Sequence, residues 1–177
     1  MILTLLNTLT ADGDSTLSFT SQFTSTYDEY MFVFTDINPA TDEAEFQFQG
    51  NASGQSGYNE TITSTYFRAE NTESDSDGTI GYETGHDQGG GTGFQTIMHQ
   101  LGNGSDESGA GILHLFTPSN TTYLTHFYSR STFMTATPRC QDSFMGGFFD
   151  AAAAITNIQF KMDSGDCDGV IQLYGIA

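Results

Sequence analysis

Positive charge is what this sequence has least of: one Lys and three Arg stand against 22 acidic residues, for a formal net charge of −18. A polyanion of this kind repels phosphate backbones, which argues against nucleic-acid binding. It repels an anionic membrane surface on the same grounds. Tryptophan is absent, prolines number three, and the only cysteines are Cys140 and Cys167, with no CxxC spacing and no His at metal-ligand spacing. Two cysteines can form one bridge, but nothing in the sequence brings these two together, and two unpaired thiols are expected. No apolar run approaches the roughly 20 residues that cross a bilayer as a helix. Met1–Leu9 (MILTLLNTL) is apolar but lacks a basic n-region and a cleavage site, so it reads as a first strand.

Hydrophobic residues make up 37% of the 177, with 15 Phe and 8 Tyr among them, so the chain can offset the entropy of ordering despite 20 glycines. Its length fits one domain, 1–177. Thr, Ser, Gly, Phe and Tyr dominate, the vocabulary of strands and turns. The charge admits two readings: plain solubility, or service in seawater or brine. Self-repulsion weakens as the Debye length shrinks from about 10 Å at 0.1 M salt to about 3 Å at 1 M.

Strand candidates recur between turn signals. Thr16–Ser21 alternates Leu17 and Phe19, and Ala44–Gln49 turns Phe46 and Phe48 inward. Glu29–Ile37 is apolar on both faces, as a central strand is. Tyr58–Ala69, Gly111–Phe116, Thr121–Met134 and Asp142–Phe149 follow the same pattern. Residues 70–93 are acidic and Gly-rich and read as the longest exposed loop. The spacing of Phe94, Ile97, Met98 and Leu101 predicts one short helix over 94–101, and Ala151–Ala154 a helical turn. Ile158/Phe160/Met162 and Ile171/Leu173 flank the Asp/Gly/Ser loop Asp163–Gly169, which predicts a closing hairpin with the chain ending in its own core. Nine or ten strands imply an all-β fold, an antiparallel two-sheet β-sandwich of jelly-roll topology.

A search for chemistry yields no catalytic, cofactor or metal residues. His114 and His126 sit in strands, His99 on the predicted helix and His86 in the acidic loop, with no paired spacing for zinc. Gly54-Gln55-Ser56-Gly57 lacks the strand-to-helix context of a nucleophile elbow. The run Gly89–Gly93 fails the phosphate-cradle spacing. Glu73–Gly78 and Ser164–Gly169 imitate the first half of a calcium loop, but Thr84 and Gly175 stand where the closing Glu belongs. Adventitious surface calcium is the one ion these loops suggest. Four N-x-S/T sequons begin at Asn51, Asn59, Asn103 and Asn120. The carboxylates are numerous, yet nothing singles out a glycosidase pair.

Several segments resemble a known group. TLSFTSQFTSTYDEYMFVFTDINPATDEAEFQFQ (16–49), TSTYFRAEN (63–71), GFQTIMHQLGN (93–103) and the final ITNIQFKMDSG…GVIQLYGI are similar to small virion proteins of marine tailed phages infecting cyanobacteria and pelagic α-proteobacteria. The resemblance implies a β-sandwich structural protein, with no catalytic residues to carry over. It implies a place on the virion exterior, as capsid decoration or tail accessory subunit. Other virion proteins, and further copies of itself in a symmetric oligomer, are then the partners. The alternative is a tail-fibre module recognising host surface glycan through loop 70–93 and through Tyr58, Tyr82, Phe148 or Phe149.

Overall fold

Apolar and polar residues alternating two to a period turn most of this chain into strand. The computed structural model describes residues 2–177, so Met1 lies outside the described residues. In chain order the strands are β1 (Leu3–Asp14), β2 (Leu17–Phe19), β3 (Glu29–Pro39), β4 (Ala44–Ala52), β5 (Ile62–Thr72), β6 (Gly78–Tyr82) and β7 (Gly89–Gly91). Then come β8 (Gln95–Leu101), β9 (Gly109–Phe116), β10 (Thr125–Thr135), β11 (Arg139–Phe149), β12 (Ile155–Met162) and β13 (Cys167–Ile176). Every pairing is antiparallel, and one path runs β1-β13-β3-β9-β10-β8-β4-β12-β2. Its two ends, β1 and β2, are joined by Ser15 and Thr16 alone, so the sheet nearly closes into a barrel. β11 pairs along β10 and also with β5, which carries the short β6 and β7, so these four strands leave the barrel wall as a branch.

The all-β antiparallel class is as expected, but two separate jelly-roll layers do not form. The bridge between Thr135 and Leu101 and the nearness of β1 to β2 merge the layers into one sheet. The helix predicted over 94–101 is strand β8. All of Gln95–His99 is buried, and a strand covered on both faces loses the alternation of apolar and polar residues that marks a half-buried strand. Residues 151–154 bend rather than coil into a helical turn. Part of the predicted 70–93 loop pairs, as the end of β5 and as β6 and β7.

The predicted closing hairpin does not form. β12 and β13 are real strands, with Ile158, Phe160, Ile171 and Leu173 fully buried, but they do not pair with each other. β12 lies between β4 and β2, while β13 lies between β3 and β1. Loop 163–166 is therefore an arch that crosses from one wall of the barrel to the other. The connections β3–β4 and β8–β9 do the same, and hydrogen bonds tie the arches together: Ala40 N to Asp166 O at 2.9 Å, Asn38 Nδ2 to Glu107 O at 2.5 Å. Gly169, at φ 131° in β13, sits where an added Cβ would lie 2.8 Å from Asp36 O, so the irregularity between Asp168 and Val170 in its pairing with β3 requires glycine.

The arches gather charge at one end. Segments 12–14, 36–45, 73–77, 106–107 and 163–168 carry fourteen of the 22 acids and no Lys or Arg. Several acids serve the backbone there: Asp163 Oδ1 accepts from Glu45 N at 2.8 Å, and Asp168 Oδ1 from Gly13 N at 2.7 Å. The opposite end, with loops 20–28 and 117–124, holds one acid in those two loops.

Inside the barrel the Phe160 ring touches five others. Its centroid is 5.0 Å from Phe32, 5.3 Å from Phe34 and 5.7 Å from Phe46. Phe19 and Phe48 stand 6.1 and 6.3 Å away. Most of these pairs meet edge to face, the arrangement favoured by the ring quadrupole.

Candidate functional site

Two surfaces of the branch strands β5 and β11 carry chemistry: a polar inner face and an aromatic outer face. On the inner face the β alternation aims Tyr66, Arg68 and Glu70 inward, opposite Gln141 and Ser143. Loop 83–88 lies over them, and β8 supplies His99. Arg68 is the centre. Its Nη1 is 2.9 Å from Glu70 and donates to Gln141 Oε1 at 2.9 Å, while its Nε donates to Glu83 at 2.8 Å. Glu70, with a side chain only 6% exposed, is also held by Arg139 at 2.6 Å. Buried carboxylates are costly unless paired, and two guanidiniums answer this one.

His99 sits against the same group. Gln141 Nε2 lies 2.9 Å from its Nδ1, Arg68 Nη1 lies 3.3 Å from its Nε2, and the His86 ring is 4.4 Å away. Both ring nitrogens face donors, so a second proton has no acceptor. Burial first, then His86 and Arg68, push the His99 pKa down to about 3. Burial likewise raises the Tyr66 phenol above its usual range. Tyr66 donates to Ser143 Oγ at 2.6 Å. His86 Nδ1 is buried without a hydrogen bond, 3.5 Å from Glu45.

A pH dependence follows from His99. The unfolded ring takes a proton near pH 6.5 that the folded ring refuses until about 3. The unfolded state thus binds more protons in that window, and acid costs stability there, with no effect above it. Urea titrations at pH 7 and pH 5 should show the wild type losing about 1–2 kcal/mol relative to His99→Gln. Equal changes in the two proteins would refute the assignment.

The outer face is different in kind. Pairing places Tyr82, Phe67, Phe144, Arg130 and Ile112 in one row across β6, β5, β11, β10 and β9. Phe67 and Phe144 stack at 4.8 Å with planes 3° apart, and Arg130 lies over the free face of Phe144 at 4.8 Å. Asp142 holds that guanidinium with two bonds, at 2.7 and 3.1 Å. In the adjoining row Tyr128 stacks on His114 at 4.6 Å, and His114 Nδ1 meets Glu29. Phe67, Tyr82 and Tyr128 remain 41%, 51% and 44% exposed, and Ile80 beside them 76%. Grooves of about 340 and 530 Å³ run on either side of Arg130.

The residues singled out from sequence scatter. Of the four aromatics proposed for glycan, Phe149 is fully buried core, Tyr58 and Phe148 are half-buried, and Tyr82 alone is exposed. Loop 73–78 is the β5–β6 turn, where Thr72 Oγ1 accepts from the Ser76 and Asp77 amides. Among the described residues no three His, Cys, Asp or Glu side chains gather as a metal-binding group. His86 and His99, thirteen positions apart, meet only through the fold. Their one sequence signal is placement either side of the Gly-rich stretch. Both cysteines are free thiols, Cys140 exposed and Cys167 buried, with burial pushing Cys167 up to about 11. A thiol reagent should therefore titrate one group in the native chain and two in denaturant. Two at native rates would contradict the burial of Cys167.

No known family model matches this chain, and no curated protein matches it.

Proposed function

We propose that this chain is a non-enzymatic structural subunit of a marine tailed-phage particle. It sits on the exterior, as a head decoration or tail accessory protein, and works as a homo-oligomer. The observation that carries this reading is the outer row Tyr82–Phe67–Phe144–Arg130, in which Phe144 alone is half-buried, with exposed Tyr128 and Ile80 beside it. Aromatics and Arg on a flat, preformed sheet face are the composition of interface centres. The acidic arch end supports the same reading, since a strongly anionic pole favours solvent over packaged DNA. The kind of particle rests on the resemblance of segments 16–49, 63–71 and 93–103 to phage virion proteins.

The glycan-binding alternative has less to stand on. A sugar stacks on an open ring face, but Phe67 and Phe144 cover each other and Arg130 covers the second face of Phe144. The test is direct. Gradient-purified particles should contain the chain by mass spectrometry and by immunogold labelling, and Phe67→Ser/Phe144→Ser should fold but fail to incorporate. A chain missing from purified particles, or a double variant incorporated at wild-type level, overturns the proposal.

A further inference from the structure

The sheet leaves four strands with an open edge: β1, β2, β6 and β7. Natural edges are blunted by brevity, charge or irregular backbone, because unpaired N–H and C=O groups template association. β2 and β7 are three residues long, and β6 is five residues with every one exposed. β1 has twelve residues and is the exception. Leu3 and Leu5 on it, and Ile2 just before it, are 50%, 51% and 69% exposed.

Charge decides what can cover this edge. Residues 2–11 (ILTLLNTLTA) contain no acidic or basic residue, and neither do residues 169–177 (GVIQLYGIA) along neighbouring β13. This is a two-strand neutral surface on a molecule of charge −18. The acidic arch end turned toward a second copy sets carboxylate against carboxylate, whereas this edge sets apolar strand against apolar strand. The backbone suits it too. Ile2 and Ala177 exchange hydrogen bonds at 2.9 and 3.2 Å. By antiparallel alternation Leu3 and Leu5 then point their N–H and C=O groups away from β13, toward the open side. The bulge between Leu5 and Asn7 interrupts the edge without charging it.

We propose that two copies of this chain pair β1 to β1, antiparallel about a twofold axis, continuing the sheet from one molecule into the next. A twofold interface is self-complementary, and antiparallel pairing of a strand with itself meets that requirement. The inference names the surface for the oligomer in the functional reading. It is tested on the purified chain alone, so it can fail while the particle assignment stands, and the reverse.

Sedimentation of the full chain at about 100 μM in 0.5 M NaCl should give a dimer, and Leu3→Glu/Leu5→Glu a monomer with an unchanged circular dichroism spectrum and melting profile. Hydrogen exchange supplies a readout independent of the variant. Amides in 2–11 should exchange at least tenfold more slowly at high than at low protein concentration, while loop 117–124 stays unchanged. A monomeric wild type, a dimer that survives both glutamates, or exchange in 2–11 that ignores concentration overturns the proposal.

Discussion

Phe160→Ala should destabilise the chain by about 3–5 kcal/mol, read as a lower urea midpoint at constant slope. No other ring in the barrel touches as many aromatic neighbours. Phe32 and Phe34 come from β3, Phe46 and Phe48 from β4 and Phe19 from β2, so one side chain on β12 fastens two walls of the barrel. Removing it opens a cavity among rigid rings that cannot collapse into the space, which places the cost at the upper part of the range. Phe160→Leu keeps most of the volume and should lose about half as much. A loss under 1 kcal/mol for the alanine variant would mean the walls are held mainly by their ladders.

Arg68→Met carries the second large effect, about 3 kcal/mol, because it strands Glu70 and Glu83. Glu70 keeps Arg139, but its Oε2 and the Glu83 carboxylate lose their partner. Adding Glu70→Gln to Arg68→Met removes one stranded charge and should recover at least 1 kcal/mol. If the two substitutions simply add, the cluster is not a coupled unit. Methionine preserves the length of the stem, so the measurement reports charge rather than packing.

How far the sequence foretold this can be judged from particular strands. Alternation in Leu17/Phe19, Phe46/Phe48, Phe160/Met162 and Ile171/Leu173 states which face each strand buries, and all of these are buried. Tyr174, on the opposite face, is half-exposed. Alternation says nothing about the neighbour across the ladder, which is why β12 and β13 read as a hairpin and turn out to be an arch. β8 was illegible as a strand because both its faces are covered, erasing the period that separates strand from helix. The Arg68–Glu70–His99 cluster was invisible for a similar reason. Its members lie on β5 and β8 with partners on β11, and β5 and β11 are neighbours only through an eleven-residue ladder joining positions 67 to 87 apart. The outer row was hidden likewise: Phe67 and Phe144 are single aromatics in separate strands until the register aligns them.

The position of β13 between β1 and β3 has a consequence for how the protein is made. The first strand waits for residues 167–176 as its one ladder partner, and the third, which can pair earlier with β9, lacks its second partner until then. Pairings that span most of the chain form slowly. The barrel must then close after β13 leaves the ribosome, and until that moment the apolar Leu3–Leu9 segment and one edge of the Phe-rich β3 stay open together. Biogenesis, more than the finished molecule, is where this chain is vulnerable to aggregation and where chaperone demand should be highest.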